Sequence, residues 1–399
     1  MKYRYLSNTL SDFSQDKFVL ISGPRQCGKT TLAKNWLHNE QGLYLNYDSA
    51  VDRKKILSLD FQKELQDLTV RQQIVFDEIH KYQKWKTYLK GLYDTNKQNL
   101  SVVVTGSARL DVYRKSSDSM LGRYELLRLH PYSIGELCSS SIKEPPKDWI
   151  ELGSNESKNK PPKNLLSEID QFGGFPEPFE KQSKLKHQRW MKRRRDLIVN
   201  EDIRDLTNIK HLKLVEVLAQ LLPEKVGSLL SLNSLREDLS VSHETISLWV
   251  DTLDYLYYSF RIAPYSGKIS RSIRKENKLY LLDWSAIEDE AARFENLIAS
   301  HLLKSVHLWT DLGYGEYNLH YWRNKDGKEV DFILTNKNKP VVFIEAKLND
   351  LEPSDALRII GAHFPETPKI QLVKKQGVNR LVRPDVRVIS ADRFLSELN

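Results

Sequence analysis

The chain has 399 residues, of which 40% are hydrophobic and 29% are charged, a balance typical of a folded protein with roughly two to four domains. It has no run of about 18 apolar residues and no apolar stretch near its N-terminus, so we expect neither a membrane span nor a secretory signal. Cys27 and Cys138 lack metal-site spacing and favour a reduced, cytoplasmic protein, and the net charge of +8 favours anionic partners such as nucleic acid.

The N-terminal part of the chain, residues 17–135, alternates between short apolar runs and helical patterns. The apolar runs are KFVLISG, GLYLNYD, QQIVFDE, LSVVVTGS and YELLRLHPYS. Continuous runs of this length, separated by helices, are typical of a parallel sheet that is covered on both faces. The sequence therefore predicts an α/β domain in this part.

One stretch there, VLISGPRQCGKTTLAKNWL, leaves a strand, passes two glycines and enters a helix. The glycines let backbone N–H groups turn inward toward phosphates, and the start of the helix attracts the same anion. The lysine reaches the terminal phosphates, and the threonine after it ligates Mg²⁺. The alternative is a chance match, but the strand-loop-helix context favours a phosphate-binding loop for ATP and Mg²⁺. Its predicted nucleotide-binding residues are Gly23, Pro24, Arg25, Gln26, Cys27, Gly28, Lys29, Thr30 and Thr31.

Two later strands end in polar residues that would complete such a site. IVFDEIH ends in Asp77, which can hold Mg²⁺, and Glu78, which can orient and deprotonate the attacking water. SVVVTGSARL ends in Thr105, Gly106 and Ser107, and a hydroxyl such as that of Thr105 can sense the terminal phosphate through water. The alternatives are an acidic helix start and a tight turn. Because the phosphate-binding loop lies in the same domain, we favour the catalytic interpretation.

The chain resembles a bacterial and archaeal family of AAA-type P-loop ATPases that carry a C-terminal domain of unknown function. The shared segments are GPRQCGKTTL, IVFDEIHKYQKWKTYLKGLYD, VTGSARL, LGRYELLRLHPYSIGEL, GGFPEP, NEDIRDLTNI and KLYLLDWSAIEDEAARFENLIASHLL, and they extend over almost the whole chain. The resemblance implies ATP binding on an AAA-like sheet, then a winged-helix region and a domain similar to restriction endonucleases. It also implies that Arg123 is an arginine finger for a neighbouring subunit's ATP in a homo-oligomer, with a salt bridge as the alternative.

The middle of the chain begins with a polar segment rich in Pro and Ser, residues 139–163, which predicts a linker. A mostly helical section follows over roughly residues 164–260. In it, SLNSLREDLSVSHETISLWVDTLDYLYYSFRIAPY predicts helix, turn, helix and strand, with Ser242 as the N-cap of a helix that starts near His243. One face of that helix is apolar and carries Ile246, Trp249, Val250, Leu253 and Leu256. This pattern is typical of a winged helix-turn-helix.

Whether this region reads DNA is left open by its charges. Base reading would use His243, Glu244, Thr245 and Ser247. Glu244, Asp251 and Asp254 would instead repel phosphates, which favours domain packing or protein contact. The basic run KHQRWMKRRRD, residues 186–196, would either track phosphates or form a solvated helix face. The run KISRSIRKENK, residues 268–278, adds positive charge just after the expected wing and favours DNA binding.

Near the C-terminus, GKEVDFILTNKNKPVVFIEAKL places Asp331 in one strand and Glu345 and Lys347 in the next. The last two residues share a face, since they are two positions apart in a strand. The two acids can hold Mg²⁺, and the lysine can orient a water molecule and stabilise phosphate charge. The arrangement resembles the PD-(D/E)xK nucleases, in which Glu295 of ARFENLIASHLL matches a helical acidic residue and metal ligand. The alternatives are a solvated hairpin and a nuclease-like fold that only binds.

Together these patterns predict an α/β protein with four parts. They are an AAA-like P-loop ATPase core over residues 1–138, a linker and helical lid over 139–200, a winged helix-turn-helix over 201–284, and a nuclease-like domain over 285–399. We expect ATP hydrolysis by a protein that acts on or with DNA. The alternatives are a nucleotide-dependent switch that binds protein partners and an ATPase whose C-terminal domain only grips DNA.

Overall fold

The fold consists of two units, and the boundary between them lies between His130 and Pro131. The computed structural model describes residues 4–37, 42–64, 71–106, 120–139, 141–154, 161–204, 211–266 and 276–399. Ser107, most of the basic run 268–278 and the second half of NEDIRDLTNI lie outside these described residues.

A parallel sheet forms the centre of the first unit. Its five described strands are β1 (Phe18–Ser22), β2 (Leu43–Asn46), β3 (Gln72–Asp77), β4 (Leu100–Thr105) and β5 (Tyr124–Arg128). They lie in the order β2-β3-β4-β1-β5, and every neighbouring pair is parallel. The predicted parallel α/β sheet is confirmed, because each of the five apolar runs forms one of these strands.

The helices described in the first unit are α1 (Ser7–Phe13), α2 (Lys29–Trp36), α3 (Ala50–Ser58) and α4 (Trp85–Asn96), with 3₁₀ turns at Asp60–Glu64 and Ile79–Lys81. A hydrophobic core on one face of the sheet contains Phe61, Phe76 and Trp85, and the rings of Phe61 and Phe76 meet edge-on with centroids 5.7 Å apart. The strand register places Asp77 beside Asn46 and Thr105. The carboxyl ends of three neighbouring strands therefore lie at one edge of the sheet, where ligands bind in folds of this class.

The second unit combines helices with a mixed sheet. Its described strands are β6 (Ser259–Pro264), β7 (Lys278–Leu281), β8 (Tyr317–Arg323), β9 (Glu329–Asn336), β10 (Lys339–Lys347), β11 (Lys369–Val373), β12 (Asn379–Arg383) and β13 (Val386–Ser390). They form one sheet in the order β12-β13-β11-β10-β9-β8-β6-β7. The described α-helices are α5 (Ile134–Cys138), α6 (Leu165–Phe172), α7 (Pro176–Lys181), α8 (Lys184–Leu197), α9 (Leu212–Leu221), α10 (Leu232–Asp238), α11 (His243–Tyr255), α12 (Glu290–Asp311), α13 (Asp355–His363) and α14 (Ala391–Leu395). A π-helical segment lies at Ile198–Ile203, and 3₁₀ turns lie at Leu222–Lys225 and Trp284–Ala286.

The helix pair α10 and α11 forms as the sequence predicts. The Ser242 hydroxyl accepts a hydrogen bond from the Thr245 N–H at 3.1 Å and caps α11, which begins at His243. The five apolar residues of its predicted face are buried. The hairpin that follows is not separate, because β6 pairs with β7 on one side and with β8 on the other. The strand expected to form a wing, β6, is therefore part of the eight-stranded sheet of described residues.

The polar segment 139–163 belongs to the second unit and is packed within it where the structure describes it. Trp149 is buried, and the centroid of its ring lies 6.0 Å from the ring centroid of Trp309 and 6.2 Å from that of Phe394. Arg387 bonds to Glu151 at 2.9 Å. The apolar area of a tryptophan explains why this part of the predicted linker is held in place. In the described part of the chain, no helix has the length and hydrophobicity to cross a membrane.

Candidate functional site

The loop between β1 and α2 takes a conformation that glycine makes possible. Gly23 has φ of 142°, and a Cβ atom at this position would lie 2.2 Å from the Leu129 carbonyl oxygen. Gly28, directly before α2, has φ of 98°. Neither position tolerates a larger residue without strain. The predicted loop residues thus form one continuous turn at the end of a buried strand.

Lys29 is the first residue of α2, and its side chain bridges the loop. Its Nζ donates hydrogen bonds to the carbonyl oxygens of Gly23 at 2.8 Å and Pro24 at 2.7 Å. The residue is only 8% exposed. The ammonium group is therefore held inside the turn, where it faces the loop backbone.

Asp77, at the end of β3, accepts hydrogen bonds from three hydroxyl groups of the site. Its Oδ2 accepts hydrogen bonds from Thr30 Oγ1 at 2.9 Å and from the Tyr44 hydroxyl at 2.6 Å, and its Oδ1 accepts one from Thr105. The structure thus brings together three predicted residues and adds Tyr44. Burial, with the hydrogen bond to Asp77, raises the pKa of Tyr44, so this phenol keeps its proton. The oxygens of Asp77 and Thr30 are of the kind that Mg²⁺ prefers.

Glu78 has a backbone conformation that is unusual for a residue with a side chain. Its φ is 58°, and its N–H bonds to the Thr105 carbonyl at 3.0 Å. Its carboxylate lies 3.4 Å from Lys81 Nζ and 3.7 Å from His80 Nε2. Burial is the main cause that raises the pKa of Glu78, against the nearby positive charges of Lys81 and Lys29. A carboxylate with a raised pKa is a stronger base toward water.

Arg123, just before β5, bonds to Asp94 at 2.7 Å, and its side chain is 30% exposed. This ion pair is the alternative that the sequence left open for Arg123. Its role as an arginine finger stays a prediction.

Two N-terminal residues bind backbone groups of the phosphate-binding loop or of the end of β5, and the sequence analysis missed both. Arg4 donates hydrogen bonds to the carbonyl oxygens of Cys27 and His130, and the Tyr5 hydroxyl donates to the Arg128 carbonyl at 2.8 Å. Both side chains are almost fully buried. Cys27 itself is buried and contributes packing and its backbone carbonyl to this region.

In the second unit, the predicted acids of β9 and β10 lie close together. Lys347 Nζ lies 2.8 Å from Glu345 Oε1, as expected for residues on one face. Asp331 Oδ2 accepts a hydrogen bond from the Ala346 N–H at 2.9 Å. Glu345 Oε2 is buried and accepts no hydrogen bond from the residues that the structure describes. Burial and the charge of Asp331 raise the pKa of Glu345 to about 7.

The helical acid Glu295 is bound by two residues that the sequence analysis did not select. Its Oε1 accepts hydrogen bonds from the Tyr280 hydroxyl at 2.7 Å and from Lys278 Nζ at 3.1 Å. Lys278 also lies 2.5 Å from Glu329 and 3.6 Å from Asp331. Lys278 belongs to the basic run 268–278, but it is buried here and does not form solvated surface. Within the described ranges, no three His, Cys, Asp or Glu side chains are arranged to hold a metal ion.

The charged surfaces of the second unit differ in sign. On α8, Lys186, Arg189, Lys192 and Arg193 are exposed. Arg194 of the same helix is instead buried over the Phe175 ring at 4.3 Å. On α11, His243 and Glu244 are exposed and Thr245 and Ser247 are half-buried. The acids of α11, Asp251 and Asp254, each lie 2.5 Å from Arg261.

Three family models match parts of the chain. The model of an AAA domain matches residues 15–138. Two models described as domains of unknown function, DUF8612 and DUF4143, match residues 164–288 and 291–394. The AAA-domain match supports a nucleotide-dependent ATPase activity for the first unit.

The matching relatives include two uncharacterized proteins. One, from Haemophilus influenzae, is 23% identical over 366 residues, which cover 86% of this chain and 85% of that protein. The other, MJ1637 of Methanocaldococcus jannaschii, is 24% identical over 392 residues, with coverage of 89% and 79%. Similar solved structures include a variant of RuvB from Thermotoga maritima, at 18% identity and a TM-score of 0.29, which covers 64% of this chain and 88% of that one. C. elegans PCH-2, at 14% identity and a TM-score of 0.29, covers 46% and 60%.

Proposed function

We propose that the first unit binds ATP with Mg²⁺ and hydrolyses it. The observation that carries this proposal is the meeting of Lys29, Thr30, Asp77 and Thr105 at one edge of the parallel sheet. Together these groups suit a phosphate chain and its metal ion lying in the loop. The AAA-domain match over residues 15–138 supports the same function.

The residues of the loop fit a bound nucleotide in chemical terms. Loop N–H groups would bind phosphate oxygens, and Lys29 would exchange its bonds to two carbonyl oxygens for stronger bonds to phosphate. Thr30 and Asp77 would hold Mg²⁺, and the bound ion would neutralise phosphate charge. Thr105 bonds to Asp77 and would also contact the terminal phosphate through water, which would couple the phosphate to that carboxylate.

Glu78 is proposed as the general base. Its carboxylate follows Asp77 directly, and its raised pKa suits removal of a proton from water. Arg123 is proposed to complete the site of a neighbouring subunit, in which case it would have to leave Asp94.

ATP turnover by the full chain and by Lys29→Ala tests the proposal. We expect the variant to lose binding or hydrolysis, because the charge at the terminal phosphates is removed. Lys54→Ala is the matched control, since Lys54 is an exposed lysine of the same unit. Equal turnover by wild type and a folded Lys29→Ala variant would refute the proposal.

A second candidate function concerns the acids of the second unit. We propose that Asp331 and Glu345 hold Mg²⁺ or Mn²⁺, with Lys347 beside the ion to orient water, in a nuclease-like domain that acts on or with DNA. The observation in favour is the buried Glu345 Oε2, for which the described residues offer no donor. Glu295 would serve as a further ligand only after release from Lys278.

The exposed cations of α8 support DNA as the partner. The test is Mn²⁺-dependent cleavage of plasmid or single-stranded DNA by wild type and Asp331→Ala, with ATP turnover as the control for folding. Stimulation of ATP hydrolysis by DNA without cleavage would favour a domain that only grips DNA. No response of either activity to DNA would favour a switch that binds protein partners.

A further inference from the structure

Lys278 occupies a position that is unusual for a lysine. It is 1% exposed, and its ammonium group lies within 3.6 Å of carboxylate oxygens from three described residues, Glu295, Glu329 and Asp331. Lysine is rarely buried to this degree unless it is paired. The strand β7 therefore delivers a positive charge to the centre of an acidic cluster.

The charges of this cluster are not balanced by its lysines. Glu345 adds a fourth carboxylate, and Lys347 Nζ contacts one of its oxygens at 2.8 Å. Arg323 adds a third cation, since its Nη1 lies 3.5 Å from Glu329 Oε2. The cluster thus sets four carboxylates against Lys278, Lys347 and Arg323. Buried carboxylates stay ionised only when cations or hydrogen bonds compensate them. The carboxylates of the cluster therefore outnumber the cations around them.

We infer that Lys278 is the resident cation of this cluster and that it competes with a divalent ion for Asp331. The inference rests on the divalent-ion site proposed above at Asp331 and Glu345. Asp331 Oδ1 faces Lys278 at 3.6 Å, and the same carboxylate would bind the ion. Two cations that share one buried carboxylate repel each other, so each weakens the binding of the other.

This competition also explains the arrangement of Glu295. Its Oε1 is shared by Lys278 at 3.1 Å and the Tyr280 hydroxyl at 2.7 Å. The Oε1 atom of Glu295 can bind a divalent ion only when the ammonium group has left it. Lys278 thus determines how many carboxylates can coordinate the ion. The number of carboxylate ligands in turn determines the affinity for the ion.

The test is Mn²⁺ binding to the full chain without nucleotide, measured by electron paramagnetic resonance. The proteins are wild type, Lys278→Met, Lys278→Arg and the double variant Lys278→Met with Glu345→Gln. We expect Lys278→Met to bind Mn²⁺ at least about tenfold more tightly than wild type, since the competing charge is gone. Lys278→Arg should resemble wild type. The double variant should lose the gain, which assigns the ion to this cluster and not to the phosphate-binding loop.

The outcomes separate the inference from the proposed site. Equally tight binding to wild type and Lys278→Met, with no binding to the double variant, would overturn the inference and leave the site standing. Absence of binding in all four proteins would overturn both.

If Lys278→Met unfolds without metal, its thermal unfolding is followed with added Mn²⁺. The inference predicts that the ion replaces the ammonium group and restores a folding transition. A variant that stays unfolded in Mn²⁺ would overturn it.

Discussion

Replacement of Glu78 by glutamine tests the chemistry of the nucleotide site most directly. The amide keeps the size of the side chain and removes the base. We expect ATP turnover to fall by about 10²–10⁴, the usual loss for a general base, which corresponds to about 2.7–5.4 kcal/mol in the activation free energy. ATP affinity should change little, because Glu78 is not part of the phosphate-binding loop.

The structure separates this loss from a loss of folding. The left-handed backbone of Glu78 is held by its N–H bond to the Thr105 carbonyl at 3.0 Å, and a glutamine keeps that bond. Burial raises the pKa of Glu78, so the folded state disfavours the ionised carboxylate at neutral pH. A neutral glutamine removes that cost. The melting temperature of Glu78→Gln should therefore equal or exceed that of wild type.

Phosphate release measures turnover, and a fluorescent ATP analogue measures affinity. Asp60→Asn is the matched control, since Asp60 is an acid of the same unit that forms an exposed ion pair with Lys63 at 2.7 Å. The control should keep turnover within about threefold of wild type, because exposed ion pairs contribute little. A folded Glu78→Gln variant with wild-type turnover would show that Glu78 is only an acidic turn residue.

Three further predictions follow from single contacts. A mixture of Arg123→Ala and Lys29→Ala subunits should recover part of the ATP turnover if each variant inactivates a different half of a shared site. Asp94→Asn should stay active. Loss of turnover in Asp94→Asn would indicate that the ion pair with Arg123 only supports the fold. Arg4→Ala should weaken ATP binding and lower the free energy of unfolding by about 1.5–3 kcal/mol, because it removes charged hydrogen bonds to the carbonyl oxygens of Cys27 and His130. Titration with ATP and urea unfolding measure the two effects. Burial lowers the pKa of His301 to about 3, so the unfolded chain takes up a proton that the folded second unit does not. The free energy of unfolding should then decrease by up to about 1.4 kcal/mol for each unit that the pH is lowered from about 6.5 to 3. Urea unfolding of His301→Gln should show a smaller dependence on pH.

The nucleotide site could be predicted from sequence because its side chains lie at the carboxyl ends of strands or directly after them. Parallel strands align their carboxyl ends, so Asp77 and Thr105 had to lie near the loop that holds Lys29. Tyr44 and Arg4 gave no such signal. A tyrosine in a strand usually packs, and Arg4 reaches the carbonyl of Cys27 from 23 positions earlier in the chain.

The acidic cluster of the second unit shows why charge in a sequence is ambiguous. Lys278 stands in a basic run, where lysine is normally solvated. Its burial depends on β7 being the edge of a sheet whose other strands mostly come later in the chain, and its partners lie on α12 and β9. These contacts could not be predicted from the sequence, since no local pattern links Lys278 to acids that lie 17 or more positions away.

The same contacts bear on where the second unit can be divided. A domain that began at residue 285 would lack β6 and β7, which are two strands of its sheet. It would also keep Glu295, Glu329 and Asp331 without the ammonium group of Lys278. Buried like charges left without their cation destabilise a fold by several kcal/mol. The parts of the second unit before and after residue 285 therefore depend on each other through this lysine, and the acidic cluster is complete only when β7 is kept.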